Sequence, residues 1–192
     1  MPGITSALSA PLFAGIAVTQ RDISDEVLIC TGTGKKGKSP QPPEFKHNRT
    51  AIFLMALHRL SALIDSLTVG PLNSDTSTEK TVEDDTRALK SCKQLWPVTT
   101  PCTIVERASC RDQRVIRSSL QYICAAVDEL GSQPPGLLIV GGACDVLQRL
   151  GKHEKWKVEE GLPSFEWLGD VAEGAGMGYA NERLNRVVAD VT

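Results

Sequence analysis

Ala51-Ile52-Phe53-Leu54-Met55 is an unbroken apolar run, and Leu57, Leu60, Leu63, Ile64 and Leu67 follow it at helical spacing. A run without polar alternation has both of its faces buried, as a strand does inside a parallel sheet covered by helices. The residues after it place one apolar stripe on a helix over 58–67. A buried strand followed by an amphipathic helix is one unit of an α/β fold.

The same alternation recurs on either side. Glu26-Val27-Leu28-Ile29-Cys30-Thr31 reads as a strand ended by Gly32-Thr33-Gly34, and residues 5–14 as a small-residue helix bent at Pro11. Cys102-Thr103-Ile104-Val105 and Gln113-Arg114-Val115-Ile116-Arg117 read as two further strands, and Leu137-Leu138-Ile139-Val140 as another buried one. Between them, Leu120, Ile123, Cys124 and Val127 mark a helix closed by Gly131 and Pro134-Pro135. Two stretches break the pattern. Residues 70–92 are rich in Ser, Thr, Asp and Glu and read as a solvated, mobile insertion, with about 70–95 as its bounds. From Gly151 the chain is charged and Gly-rich, with Trp156, Phe165 and Trp167 as anchors that could dock it.

The 192 residues suffice for one domain with its own core. The 21 Lys+Arg nearly cancel the 23 Asp+Glu, leaving a net charge of −2, so a phosphate-backbone partner is not expected. Gly136-Leu137-Leu138-Ile139-Val140-Gly141 is among the longest apolar runs and falls far short of the roughly 20 residues that span a bilayer. The start has no basic segment of the kind that opens a signal peptide. The six cysteines form no C-x-x-C pair and sit mostly in apolar patterns, so buried, reduced thiols are expected, as in a cytoplasmic protein. His47, His58 and His153 stand apart from each other and from paired thiols, and no metal centre is expected. One sequon, Asn48-Arg49-Thr50, does not outweigh this.

Short motifs add little by themselves. Lys35-Lys36-Gly37-Lys38 lacks the spacing of a phosphate loop and is followed by Pro40-Gln41-Pro42-Pro43 instead of a helix. Gly174-Ala175-Gly176-Met177-Gly178 has no apolar strand before it and too little chain after it for a dinucleotide site. Asp22, Asp25 and Glu26 read as a cap or solvated turn. No nucleophile–base arrangement follows from spacing, and catalytic residues stay unassigned.

Six segments in order carry more. Pro2-Gly3-Ile4-Thr5-Ser6-Ala7 and then Ala14-Gly15-Ile16-Ala17-Val18-Thr19-Gln20-Arg21 together form the first, and Thr31-Gly32 is the second. Then come Phe53-Leu54-Met55, Pro101 to Ser109, Asp112-Gln113-Arg114-Val115-Ile116 and Pro134 to Gly141. Over residues 2–148 the series resembles the tetrapyrrole methylases, most closely their uroporphyrinogen-III C-methyltransferase branch. The segment from Glu106 to Arg114 carries that choice of branch. The resemblance implies a two-domain α/β fold, with this chain chiefly the C-terminal mixed-sheet domain plus a helix left over from the N-terminal one. Residues 1–22 would then be remnant and linker, 23–150 the C-terminal domain and 151–192 an extension. It further implies S-adenosylmethionine as cofactor, methyl transfer to C2 and C7 of uroporphyrinogen III to give precorrin-2 for siroheme, and a homodimer. Carried over by motif, the donor contacts are Thr5, Ser6, Met55, Ala108 and Gly136. Arg21 and Arg114 are candidates for the substrate's carboxylates.

The pattern also departs from the family's. Ala17 and Gln20 stand where Pro and His are usual, Ser118-Ser119 where Gly-Thr is, and Ala56 where Gly is common. The family's Gly-rich donor loop and Gly-Gly-Asp segment precede the Pro-Gly-Ile signature, which here begins at residue 2. A shortened methylase is therefore expected, with part of the cover over Ala51 to Met55 lost. A non-catalytic module that dimerises or binds a ligand is the alternative.

Overall fold

In the computed structural model, which describes residues 3–34, 41–69, 94–151 and 153–161, six strands make one mixed sheet. They are β1 (Glu26–Thr31), β2 (Arg49–Leu54), β3 (Pro101–Glu106), β4 (Arg114–Ser119), β5 (Gly136–Val140) and β6 (Trp156–Glu160). The spatial order is β1-β2-β5-β3-β4-β6. β1 and β2 pair in parallel, and every other pair is antiparallel. Because β5 runs against both β2 and β3, the strands β1, β2 and β3 all point the same way. Their C-terminal ends therefore share one edge of the domain.

Both faces of the sheet are covered. Helices α2 (Leu60–Thr68) and α3 (Ile123–Leu130) lie on one face. Leu60, Leu63, Ile64 and Leu67 of α2 and Ile123 and Ala126 of α3 pack there with Phe53, Ile104, Ile116 and Leu138. Trp96 closes this side, edge-on to Phe45 at 5.3 Å, its indole N–H donating to the Pro43 carbonyl at 2.9 Å. Helix α1 (Ser6–Phe13) covers the other face. Its Ala7 and Ala10, followed by Ala14, pack with Ile52, Val105, Val115, Leu137 and Ile139. Small side chains let a helix lie close to a sheet of β-branched residues. This double cover is why β2, β3 and β5 read as continuous apolar runs.

Several boundaries differ from the sequence reading. The helix expected over 58–67 opens as a 3-10 turn, Leu57–Arg59, before α2. The strand expected at 113–117 is Arg114–Ser119, because the Gln113 side chain is buried and tied to the preceding turn. Residues 156–160, read as part of an extension, add β6 to the sheet beside β4. Of the stretch expected to lose cover, Ala51 to Phe53 stay buried whereas Met55 at its end is exposed, and further apolar exposure falls on Ile4, Leu8 and Leu12 along α1. The five described cysteines are free thiols, and Cys110 is exposed, against expectation. Burial raises the Cys102 thiol and pushes the Cys144 thiol up to about 12. The Lys35–Lys38 loop, the insertion, Phe165, Trp167 and the glycine cluster at 174–178 lie outside the described residues.

The two edge strands are fastened by matching ion pairs. On β1, Glu26 accepts from Arg49 Nη2 at 2.7 Å and from Lys46 Nζ at 3.0 Å. On β6, Glu159 accepts from Arg117 Nε at 3.2 Å and lies 3.0 Å from Lys157 Nζ. Arg117 is itself buried and donates to the Ala14 carbonyl after α1, so one guanidinium joins β4, β6 and α1.

Burial alone would push the Glu159 carboxyl up, but hydrogen bonds from Arg117 and Lys157 outweigh it and hold it below the ordinary value. For Glu26, Arg49 and then Lys46 do the same. A depressed carboxyl contributes stability above its unfolded value near 4.5 and loses it as pH falls through the lower folded value. Amide exchange on β6 should therefore accelerate in that acid window before exchange on the central β5. Protection of β6 that matches β5 throughout the window would contradict this assignment.

Candidate functional site: the C-terminal strand edge

Three of the five expected donor contacts meet at the edge where β1, β2 and β3 end. Leu54 of β2 pairs with Leu137 of β5, and Gly136 of β5 pairs with Glu106 of β3. Met55 thus follows β2 next to Gly136, and the turn carrying Ala108 follows β3 on the other side. With strands about 4.8 Å apart, β2 and β3 lie roughly 10 Å apart across β5. In open α/β sheets, ligands bind in the crevice outside the carboxyl ends of strands.

The backbone here is unusual. Met55, Arg107 and Ser109 are non-glycine residues with φ of 53°, 51° and 66°. Such left-handed conformations cost roughly 1–2 kcal/mol per residue and persist only where neighbours hold them. The holders are visible. Thr33 Oγ1 donates to the Met55 carbonyl at 3.0 Å. Arg107 N–H donates to the Pro135 carbonyl at 2.7 Å, and its side chain pairs with Asp112. Ser109 N–H donates to Gln113 Oε1 at 2.9 Å, and Gln113 Nε2 donates to the Phe13 carbonyl at 3.2 Å. Ala108, partly buried, thus sits between two left-handed residues, and its turn is tied to α1.

The glycines serve packing. A Cβ on Gly32 would stand 2.6 Å from Ala56 Cα, and one on Gly136 would stand 2.6 Å from Leu57 Cδ1 and 2.9 Å from the Val105 carbonyl. Both demands come from the chain itself. Met55, by contrast, is 62% exposed.

Four expected site residues remain: Thr5, Ser6, Arg21 and Arg114. Thr5 is the N-cap of α1 but makes no side-chain capping bond, and Thr5 and Ser6 are both exposed. Arg21 is exposed in the turn between Gln20 and Ser24, which leads into the start of β1. Ser24 is anchored there to Thr50 at 2.8 Å, and Ile23 lies against Gly142 beyond the end of β5. That is the opposite edge of the sheet, about 20 Å away along six-residue strands.

Arg114 is inside the protein. It is 4% exposed and Glu106 is fully buried. Arg114 Nε donates to Glu106 Oε2 at 2.7 Å, Nη1 to the Leu130 carbonyl at 3.2 Å and Nη2 to the Gly131 carbonyl at 2.6 Å. Its donors are turned to the α3 C-terminus and Glu106.

Two side chains at this strand edge escaped the sequence reading. Thr33 holds the Met55 carbonyl, and His58 Nε2 lies 3.1 Å from Thr33 Oγ1. The available signal was Thr31-Gly32-Thr33 directly after a strand, a pattern in which hydroxyls turn back onto the backbone. A separate cleft of about 540 Å³ lies between α2 and α3, lined by His58, Asp65, Cys124 and Asp128 among others. It contains none of the expected donor contacts. Among the described residues no His, Cys, Asp and Glu cluster could hold a metal ion.

Replacing Arg114 by Met should destabilise the fold by about 3–5 kcal/mol, because it strands a buried Glu106 charge. The double change Glu106→Leu with Arg114→Met should recover much of that loss in a denaturant titration. An Arg114→Met protein of unchanged stability would restore Arg114 as a ligand contact.

Comparison with known proteins finds relatives of this chain in one family. The family model for Tetrapyrrole (Corrin/Porphyrin) Methylases matches residues 1–124. The uroporphyrinogen-III C-methyltransferase of Saccharomyces cerevisiae is 42% identical over 171 residues, 86% of this chain and 25% of that protein. A Schizosaccharomyces pombe protein described as a probable uroporphyrinogen-III C-methyltransferase is 42% identical over 148 residues, 77% of this chain and 25% of its own length. Among solved structures, the uroporphyrin III C-methyl transferase of Thermus thermophilus aligns with a TM-score of 0.53 at 21% identity, covering 74% of this chain and 50% of that one. The same enzyme complexed with S-adenyl homocysteine aligns at 0.52 and 22% identity, covering 74% of this chain and 52% of that one. The chain spans about a quarter of the length of the two yeast relatives and about half of the solved chains. The family match, the ordered motifs and the mixed sheet agree: the chain belongs to the tetrapyrrole methylases.

Proposed function

We propose that this chain carries the donor-binding strand edge of an S-adenosylmethionine-dependent C-methyltransferase acting on uroporphyrinogen III. In this reading the product is precorrin-2, methylated at C2 and C7, on the route to siroheme. The observation that supports it most is the convergence of Met55, Ala108 and Gly136 at one end of three adjacent strands. S-adenosylmethionine, when bound, supplies an electrophilic methyl group on a sulfonium. The chain's own part is to bind and align. Met55 offers an unbranched, polarisable side chain able to lie along an adenosine face. Ala108 leaves room for close approach to the backbone, and Gly136 presents main-chain groups between the two. Thr5 and Ser6 would complete the site from α1. Alignment and exclusion of water suffice for methyl transfer from a sulfonium, which accords with a site of backbone and small residues.

The substrate's carboxylates call for cations, and the geometry of Arg114 and Arg21 favours others. Arg107 stands in the same turn as Ala108 and is the better candidate. The exposed stripe of Ile4, Leu8 and Leu12 supports a homodimer or a covering domain over α1. We assign residues 1–22 to a remnant of the N-terminal methylase domain with its linker, and residues 23–150, with β6 added to the sheet, to the C-terminal domain, in the cytoplasm.

Titration calorimetry with S-adenosylhomocysteine tests the reading. The chain should bind it, and Ala108→Leu should weaken binding more than tenfold, about 1.4 kcal/mol. The melting temperature should change much less, since Ala108 is only partly buried. Retained affinity in Ala108→Leu with a lowered melting temperature would make Ala108 a core residue and sink the site assignment. Absence of binding by the unaltered chain would sink the donor reading itself.

A further inference from the structure

We infer that Thr33 and His58 are positioning residues that hold Met55 in the left-handed conformation in which it meets the donor. The inference rests on the proposed reading of Met55 as a donor contact and adds to it the groups that set its backbone.

The geometry is a short relay. Thr33 Oγ1 donates to the Met55 carbonyl at 3.0 Å and lies 3.1 Å from His58 Nε2. A threonine hydroxyl has a single hydrogen. With that hydrogen committed to Met55, the contact with His58 is a hydrogen bond only if Nε2 carries a proton and donates. Neutral His58 with its proton on Nε2 and doubly protonated His58 both satisfy this, so protonation of the ring leaves the relay intact. By donating, His58 polarises the Thr33 hydroxyl and strengthens its bond to the Met55 carbonyl.

Thr33 is itself fixed from two sides. Thr31 Oγ1 donates to the Thr33 carbonyl at 2.8 Å, closing a tight turn directly after β1. Gly32 N–H donates to the Leu54 carbonyl at 2.7 Å, and Gly32 lies so close to Ala56 that a Cβ would not fit. The end of β1 is therefore pressed onto residues 54–56, and its Thr33 hydroxyl reaches the one carbonyl that follows a left-handed φ. His58 arrives from the 3-10 turn that begins two residues after Met55. Met55 is thus gripped by the strand before it in the sheet and by the turn after it in the chain. Its side chain is mostly exposed, so packing contributes little to holding it. A left-handed non-glycine residue with little side-chain packing depends on its backbone partners.

A merely structural turn would predict a different response from a positioning relay, and four variants of the full chain separate the two. Thr33→Val removes the hydroxyl and keeps the shape, whereas Thr33→Ser keeps the hydroxyl. His58→Ala removes the second donor, whereas His58→Gln keeps an N–H able to reach Thr33. Two readouts apply to each: the Met55 amide–Hα coupling and carbonyl carbon shift by NMR, and the affinity for S-adenosylhomocysteine by calorimetry. Thr33→Val should shift the Met55 signals towards an averaged backbone and weaken binding about fivefold, the effect of one lost hydrogen bond. Thr33→Ser should restore both readouts to within twofold or to the original signals. His58→Ala should move both in the same direction by less, and His58→Gln should bring them back. Unchanged Met55 signals in Thr33→Val overturn the proposal, as does relaxed Met55 with affinity kept within twofold. In both cases the unaltered chain still binds, so the donor reading survives. If the unaltered chain takes up no S-adenosylhomocysteine, the donor reading and this proposal fall together.

Discussion

The buried pair of Glu106 and Arg114 is the constraint on which the rest of this architecture hangs. Glu106 ends β3 and Arg114 begins β4, and the two face each other across the ladder. Each then reaches beyond the sheet. Arg114 accepts the task of capping α3 by donating to the carbonyls of Leu130 and Gly131. Glu106 Oε1 accepts from the Gln133 amide at 2.7 Å and from Ser132 Oγ at 3.2 Å. The loop after α3 is thereby drawn to the end of β3, which delivers Pro134-Pro135-Gly136 to the start of β5. One charge pair sets the register of three strands and the end of a helix. A pair so deeply placed is held by its geometry and its additional hydrogen bonds, since burial of two charges is itself unfavourable. Removing either partner therefore disturbs the donor edge at a distance, without any contact with a ligand.

The edge inherits its shape from that anchoring. Arg107 follows Glu106 and must reverse the chain at once, and its amide is taken by the Pro135 carbonyl of the loop that Glu106 has already fixed. The turn then runs through two left-handed residues to Gln113, whose side chain ties Ser109 to the Phe13 carbonyl of α1. Helix α1 is thus connected to the turn carrying Ala108 by a single buried glutamine. Arg117 repeats the connection lower on β4 through the Ala14 carbonyl. Any ligand seated at Ala108 would meet a wall built from α1, β3 and the loop before β5, already assembled without it.

Much of this was legible in the sequence. The apolar runs of β2, β3 and β5 announced strands covered on both faces, and the stripe from Leu57 to Leu67 announced the helix on one of them. The ordered motifs named Met55, Ala108 and Gly136 as candidate donor contacts, and the register puts those three at one end of the sheet. What was not legible depends on partners distant in the chain. Arg114 looks identical on paper whether it meets a ligand or Glu106, because both are carboxylates, and only the fold decides which is present. Arg21 ends a motif in sequence, yet the chain crosses the whole length of β1 before reaching the edge where Met55, Ala108 and Gly136 lie. β6 was hidden because Trp156-Lys157-Val158-Glu159-Glu160 has the composition of a solvated segment. It is an edge strand, paired on one side only, and its charges find Arg117. Edge strands commonly carry such residues, which discourage pairing with other chains.

The division of labour between glycine and other residues at the donor edge follows from the same packing. Glycine is usually expected where the backbone turns left-handed, because it alone does so at no cost. Here the glycines of the edge, Gly32 and Gly136, are needed because Ala56, Leu57 and Val105 occupy the space a side chain would take. The left-handed positions are instead Met55, Arg107 and Ser109. Glycine at those three sites would relieve strain and remove a side chain at the same time. Keeping the side chains requires hydrogen bonds with Thr33, Pro135 and Gln113 to hold each backbone in place. Local strain maintained in this way belongs to surfaces that must present particular groups in a preset direction, since a site assembled beforehand loses less freedom when its ligand arrives.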